Sequence, residues 1–225
     1  MNASRGVLGG FTNADIMGEK EGKVMSVNAD ITALLRARNT LLWVTSREDV
    51  RVERALITAA GDARFPVRFW DCATGITDAE GKLVAQVPDP VSALGYIRDR
   101  KERYVYVLRD LHKWFDPIVL RTLRTLARTL QVAAPAEARS VVLLTPSSEL
   151  PLELQGCVTV IDYPLPDRQE ITRLLDDVIA ALPDEVRLNA APNDVRDAAI
   201  DAAVGLTAEE AANCYARSLV TSKKI

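Results

Sequence analysis

Apolar residues along this chain fall into short continuous runs separated by segments of helical period. Leu41-Leu42-Trp43-Val44-Thr45 is the first run of strand length, and a charged segment with Val52, Ala55 and Leu56 on one side follows from about Arg47 to Ala60. Val67-Arg68-Phe69-Trp70 is a second run, and Tyr104-Val105-Tyr106-Val107-Leu108 a third. Val141-Val142-Leu143-Leu144-Thr145 and Val158-Thr159-Val160-Ile161 supply a fourth and a fifth. Between them, Pro88-Asp89-Pro90 opens a helix toward Arg103 with Val91, Leu94 and Ile97 as its stripe. Pro117 opens another, with Leu120, Leu123, Ala127 and Leu130 at helical spacing. Asp78 to Val87, with Gly81 at a turn, reads as a surface excursion or a small hairpin. Strands apolar on both faces and separated by helices predict an α/β fold: a three-layer, doubly wound, parallel five-stranded sheet.

After Pro166 no further strand pattern occurs. Helices over about Arg168–Leu182, Val195–Val204 and Ala208–Val220 predict a small all-α lid. The expected organisation is a flexible leader over residues 1–30, which hold five glycines and no apolar period, an α/β domain over 31–166, and the helical lid over 167–225.

Composition narrows the classes. A net charge of −3 over 225 residues gives no general attraction for nucleic acid or anionic membrane. Cys72, Cys157 and Cys214 stand far apart and only one histidine is present, which excludes a clustered zinc site. Sparse, odd cysteines and the absence of a signal pattern or a membrane-length apolar run point to a cytoplasmic protein.

Four stretches carry a resemblance. Residues 162–170 read DYPLPDRQE, residues 144–151 LTPSSELP and residues 205–211 GLTAEEA, while Tyr104 to Asp110 is an apolar strand ending in Asp. In this order they resemble the AAA+ ATPase family: its junction between sheet and lid, its sensor strand, its lid helix and its Walker B strand. The runs LLRAR (residues 34–38) and VLRDLH (residues 107–112) are similar to the degenerate N-terminal domain of the two-part AAA proteins of cyanobacteria, algal plastids and some phages. That resemblance implies a P-loop NTPase fold, a second ATPase domain or subunit as partner, self-association, and ATP or ADP with Mg²⁺ as the family's cofactor.

The phosphate chemistry departs from the family. A phosphate loop needs G-x-x-x-x-G-K-[ST], so that backbone N–H groups cradle phosphate while Lys and a hydroxyl grip it and Mg²⁺. The first strand is followed instead by Thr45-Ser46-Arg47-Glu48-Asp49, whose acids suit the first turn of a helix. The Gly-Lys pair in residues 18–24 has no hydroxyl partner and no preceding strand. Asp110 stands where the family's Mg²⁺-binding carboxylate would be, but Leu111 replaces the catalytic glutamate. Ser46, Arg47, Asp110 and Thr145 are therefore read as vestigial nucleotide-site positions, with Asp110 also read as a cap for the turn after its strand. No catalytic residue and no metal site is assigned. Residues 153–157 lack the family's arginine finger, and His112 has no partner evident in the sequence. Arg121, Arg124 and Arg128 recur at i, i+3 and i+7. They read first as a solvated helix face, and alternatively as a contact for nucleic acid or another protomer.

The expected function is thus a non-hydrolysing assembly, regulatory or partner-binding module within a larger AAA ATPase. A nucleotide-holding regulator and a nucleic-acid-associated factor are the alternatives.

Overall fold

The computed structural model describes residues 27–182 and 193–222. Most of the expected leader and the Gly-Lys pair within it lie outside these residues, but residues 27–30 are already helical. The described residues form two compact units, residues 27–164 with Thr207–Glu209, and a helical unit containing most of the residues after Leu165.

In the first unit a helix described over residues 27–36 (α1) precedes β1 (Leu41–Thr45), α2 (Asp49–Asp62) and β2 (Val67–Asp71). Then come β3 (Gly75–Asp78), β4 (Leu83–Ala85), α3 (Pro90–Asp99) and β5 (Tyr104–Arg109). A 3-10 turn at Leu111–Trp114, α4 (Pro117–Gln131), β6 (Arg139–Thr145) and β7 (Thr159–Asp162) complete it. The seven strands lie in the order β4-β3-β2-β5-β6-β1-β7. Five of them, β2, β5, β6, β1 and β7, run parallel as expected. The hairpin of β3 and β4 extends the sheet antiparallel at the β2 edge, so the sheet is mixed.

Continuous apolarity of the central strands follows from helices on both faces. Leu42 and Val44, Val105 and Val107, and Val142 and Leu144 enter one core with Ile31, Leu35, Val52 and Leu56. Their neighbours Leu41 and Trp43, Tyr106 and Leu108, and Val141 and Leu143 enter the other with Leu94, Ile97, Leu123 and Leu130. Helix starts are fixed by carboxylates that satisfy first-turn N–H groups. Asp89 accepts from Ser92 N ahead of Pro90, and Asp116 from Val119 N ahead of Pro117.

The helical unit comprises α5 (Arg168–Ala180), α6 (Asn193–Ala203) and most of α7 (Ala208–Ser222). Asp167 and Glu170 form a reciprocal capping box at the start of α5. Ile171, Leu175, Ile200, Ala203, Ala211 and Tyr215 make this unit's own core. Among the described residues no helix is long and apolar enough to cross a membrane.

Candidate functional site

The carboxyl ends of β1, β5, β6 and β7 converge at one edge of the sheet, where ligands of open α/β folds bind. Ser46 N donates to the Thr145 carbonyl at 2.9 Å, and Tyr163 N donates to the Thr45 carbonyl at 2.9 Å. These bonds fix the exits of β6 and β7 against that of β1.

The turn after β1 is built around Glu48. Ser46 Oγ accepts from Glu48 N at 3.1 Å, and this closes the turn. The Glu48 side chain is 5% exposed, and its Oε2 accepts from Arg51 Nη1 at 2.7 Å. Its Oε1 accepts from the backbone N–H of Ala208 at 2.6 Å, within the stretch Thr207–Glu209 that belongs to the α/β unit. Arg51 also donates to the Pro164 carbonyl at 2.7 Å and lies 5.0 Å over the Tyr163 ring. A guanidinium and the N–H at a helix start are donors suited to an oxyanion. Here a carboxylate of the chain itself takes both.

Acidic groups crowd the adjoining surface. Burial raises the pKa of Asp49, and the charges of Asp110 and Glu53 raise it further, against an opposing effect of Arg109. Arg109 does not neutralise the group freely, since its Nε and Nη2 bind Glu53 at 2.5 and 3.0 Å and its Nη1 reaches Asp71 at 3.2 Å.

Asp110 adopts a left-handed backbone with φ of +53° and its N–H donates to the Leu144 carbonyl at 3.0 Å. Its side chain is 58% exposed and makes no cap bond to the 3-10 turn that follows. The turn is closed instead through its carbonyl, which accepts from Lys113 N at 3.0 Å. Thr145, fully buried, holds His112: Oγ1 and Nδ1 are 3.0 Å apart, and the same hydroxyl accepts from Ser147 N at 3.1 Å. Burial lowers the His112 pKa, Lys113 lowers it further, and Asp110 at 3.8 Å from Nδ1 opposes them.

Three of the four expected positions are therefore brought together: Ser46 bonds to Thr145, and Thr145 and Asp110 flank His112. Arg47 stays outside this group as an exposed residue of the β1 turn. Arg121 and Arg128 are exposed on α4 and Arg124 is half-buried there. The sequence left Glu48 as a helix-start acid and His112 without a partner; Arg51 carried no assignment. Only the i, i+3 spacing of Glu48 and Arg51 hinted at this network, because Ala208 and Thr145 are remote in sequence from the groups they bind. Among the described residues, no group of three or more His, Cys, Asp or Glu could hold a metal ion.

The strand order and the site at this edge define a P-loop NTPase fold of the AAA type. Solved structures of mutant forms of Thermotoga maritima RuvB share it. One superposes with a TM-score of 0.57 at 11% identity, covering 94% of this chain and 66% of that one. Another gives 0.55 at 9% identity over 91% of this chain and 66% of that one. The family of the SpoVK-like AAA ATPase, N-terminal domain, matches residues 27–163, and that of the SpoVK-like AAA ATPase, second domain, matches residues 169–225. The chain belongs to the SpoVK-like AAA ATPase family. It is similar to the AAA domain-containing protein ycf46 of Guillardia theta, at 26% identity over 89% of this chain and 39% of that protein. The ycf46 protein of Pyropia yezoensis is also 26% identical, over 66% of this chain and 30% of its own length. The chain thus spans less than two fifths of the length of these relatives.

Proposed function

We propose that this chain is the non-hydrolysing N-terminal part of a larger AAA ATPase and serves as an assembly or partner-binding module. The buried Glu48 carboxylate carries the reading. It accepts from Arg51 and from the Ala208 N–H at the β1 turn, the place where a working member would receive phosphate. Triphosphate and Mg²⁺ do not fit the residues present. The turn has no glycine for close backbone approach and no lysine, and Asp49, Glu53 and Asp110 add negative charge where phosphate would need cations. No hydrolytic step is therefore assigned to this chain. Residues 31–166 would form the α/β body and 167–225 its lid, with residues 1–30 as a leader. Three free, exposed cysteines suit work in the cytoplasm.

Calorimetry of the purified chain with Mg-ATP and Mg-ADP, paired with a phosphate-release assay, tests this. The expected result is no heat at high micromolar nucleotide and no release. Turnover that disappears in Asp110→Ala would defeat the proposal. A nucleotide-holding regulator is the second reading, favoured by the exposed Asp110 carboxylate at the end of β5. Binding heat without phosphate release would select it.

A further inference from the structure

The parallel strands have a second edge, where their amino ends lie, and its charge is opposite to that of the carboxyl edge. The connections that enter β1, β2 and β5 meet there, and three guanidiniums gather on the last turn of α2. Arg36, at the end of α1, donates through Nη2 to the Asp62 carbonyl at 2.9 Å. Arg103, just ahead of β5, donates through Nη2 to the Ala63 carbonyl at 3.1 Å. Arg64 follows α2 in a left-handed backbone with φ of +61°, a position that favours glycine, and is exposed. Arg100 and Lys101, both exposed, continue the cluster along the connection that holds Arg103.

Carbonyls at a helix end attract cations, which accounts for one nitrogen each of Arg36 and Arg103. It does not account for five cations that keep no carboxylate. The acids beside them are spent elsewhere: Asp99 binds Arg98 at 2.7 Å, and Glu102 binds Arg68. Asp62 is the one carboxylate left within the cluster. Among the described residues no ion pair joins Arg36, Arg64, Arg100, Lys101 or Arg103 to an acid.

Rings hold two of these cations in place. Arg103 lies 4.0 Å over Phe65 and Arg100 lies 4.3 Å over Tyr96. Tyr104 is covered in the same way by Arg68, at 3.9 Å. A guanidinium fixed on a ring loses little freedom when it takes up a phosphate, and the ring face beneath it is closed to stacking bases. No large apolar side chain is exposed over residues 62–68 or 98–104, so the surface lacks a group that would enter a bilayer.

We infer that this amino edge is a docking surface for the phosphate backbone of duplex nucleic acid. Arg36, Arg64, Arg100, Lys101 and Arg103 make the contact, and base sequence is not read. The acids of the carboxyl edge repel the same polyanion and turn the basic edge toward it. The surface lies away from the β1 turn, so the inference goes beyond the assembly reading and is tested separately from it.

Fluorescence anisotropy of the full chain with a labelled, mixed-sequence DNA duplex of about 20 base pairs tests it, at about 0.03 to 0.3 M salt. Micromolar binding at low salt is expected, equal among duplex sequences, with a slope of log K against log salt of about −4. Arg64→Gly suits the left-handed backbone while removing a charge, and should make that slope shallower by about one. Arg64→Gly, Arg100→Gln and Lys101→Gln together should weaken binding about tenfold or more at low salt, with circular dichroism unchanged. Arg121→Gln, Arg124→Gln and Arg128→Gln on α4 should leave it intact. No anisotropy change at low salt, full binding by the first triple variant, or loss of binding through the second would overturn the inference. Tighter binding of a single strand of the same length would overturn a contact made to the duplex backbone. Capture of phosphatidylserine–phosphatidylcholine vesicles through these residues, with the duplex unbound, would overturn it in favour of a membrane surface.

Discussion

Thr145 and His112 hold each other across the ends of β6 and β5, with Oγ1 3.0 Å from Nδ1, while Nε2 is buried without a hydrogen-bond partner among the described residues. Burial therefore disfavours the imidazolium and depresses the His112 pKa below its ordinary 6.5. A depressed pKa contributes stability that is present above about pH 6.5 and is lost as pH falls through the folded-state value. The melting temperature should decline as pH drops below about 6.5, and His112→Asn should flatten that part of the profile. An identical slope in the variant, measured by thermal melts across about pH 5 to 8, would remove His112 as the cause.

Buried Glu48 pairs with partly buried Arg51, their side chains 5% and 14% exposed. Removing Glu48 takes the charged partner from Arg51, which keeps the Pro164 carbonyl and the Tyr163 ring, and leaves the Ala208 N–H without its acceptor. Glu48→Ala is expected to lower stability by about 3 kcal/mol in urea titrations, and Glu48→Gln, which keeps an acceptor, by less. Neither should gain affinity for Mg-ATP, because Asp49, Glu53 and Asp110 remain.

Gly75 has a φ of +89°, and a Cβ there would lie 2.6 Å from the Ala85 carbonyl oxygen and 2.9 Å from Val87 N. Both neighbours are backbone and cannot rotate aside. Gly75→Ala should cost about 3 kcal/mol, seen as a lower melting temperature. The contrasting substitution is Gly81→Ala, with a similar φ and open space around it, which should cost about 1 kcal/mol.

Asp110 raises the pKa of Asp49 through its charge, the second cause after burial. Asp110→Asn should move the Asp49 titration down toward 3.8 without abolishing the burial contribution, as followed by carboxyl NMR. No movement would mean that the two carboxylates do not sense each other.

The central strands were legible because burial on both faces writes a run of apolar residues into the chain. Leu41–Thr45 is a strand with the expected bounds, and Val141–Thr145 ends where expected, extended backward to Arg139. β3 was not legible as a separate strand, since Gly75-Ile76-Thr77-Asp78 offers one large apolar side chain and sits beyond the parallel set. The start of α1 escaped for a different reason: only Val27 among residues 27–30 packs on the core, too few positions to establish a period. The family resemblance marked Ser46, Thr145 and Asp110 as nucleotide-site positions but could not find their connections. Glu48 meets Ala208 across 160 positions and His112 meets Thr145 across 33, and such pairings are products of topology rather than of local pattern.

The hairpin of β3 and β4 also changes how this domain behaves in a crowded solution. Without it, β2 would present a five-residue strand rich in aromatic side chains as an open rim of unsatisfied backbone groups. The hairpin hides that rim and substitutes a three-residue strand, Leu83–Ala85, too short to template a long intermolecular ladder. Since Gly75 is what lets the hairpin close against Ala85, a substitution there would also make the protein more prone to aggregate, and loss of solubility on expression would be its most visible symptom.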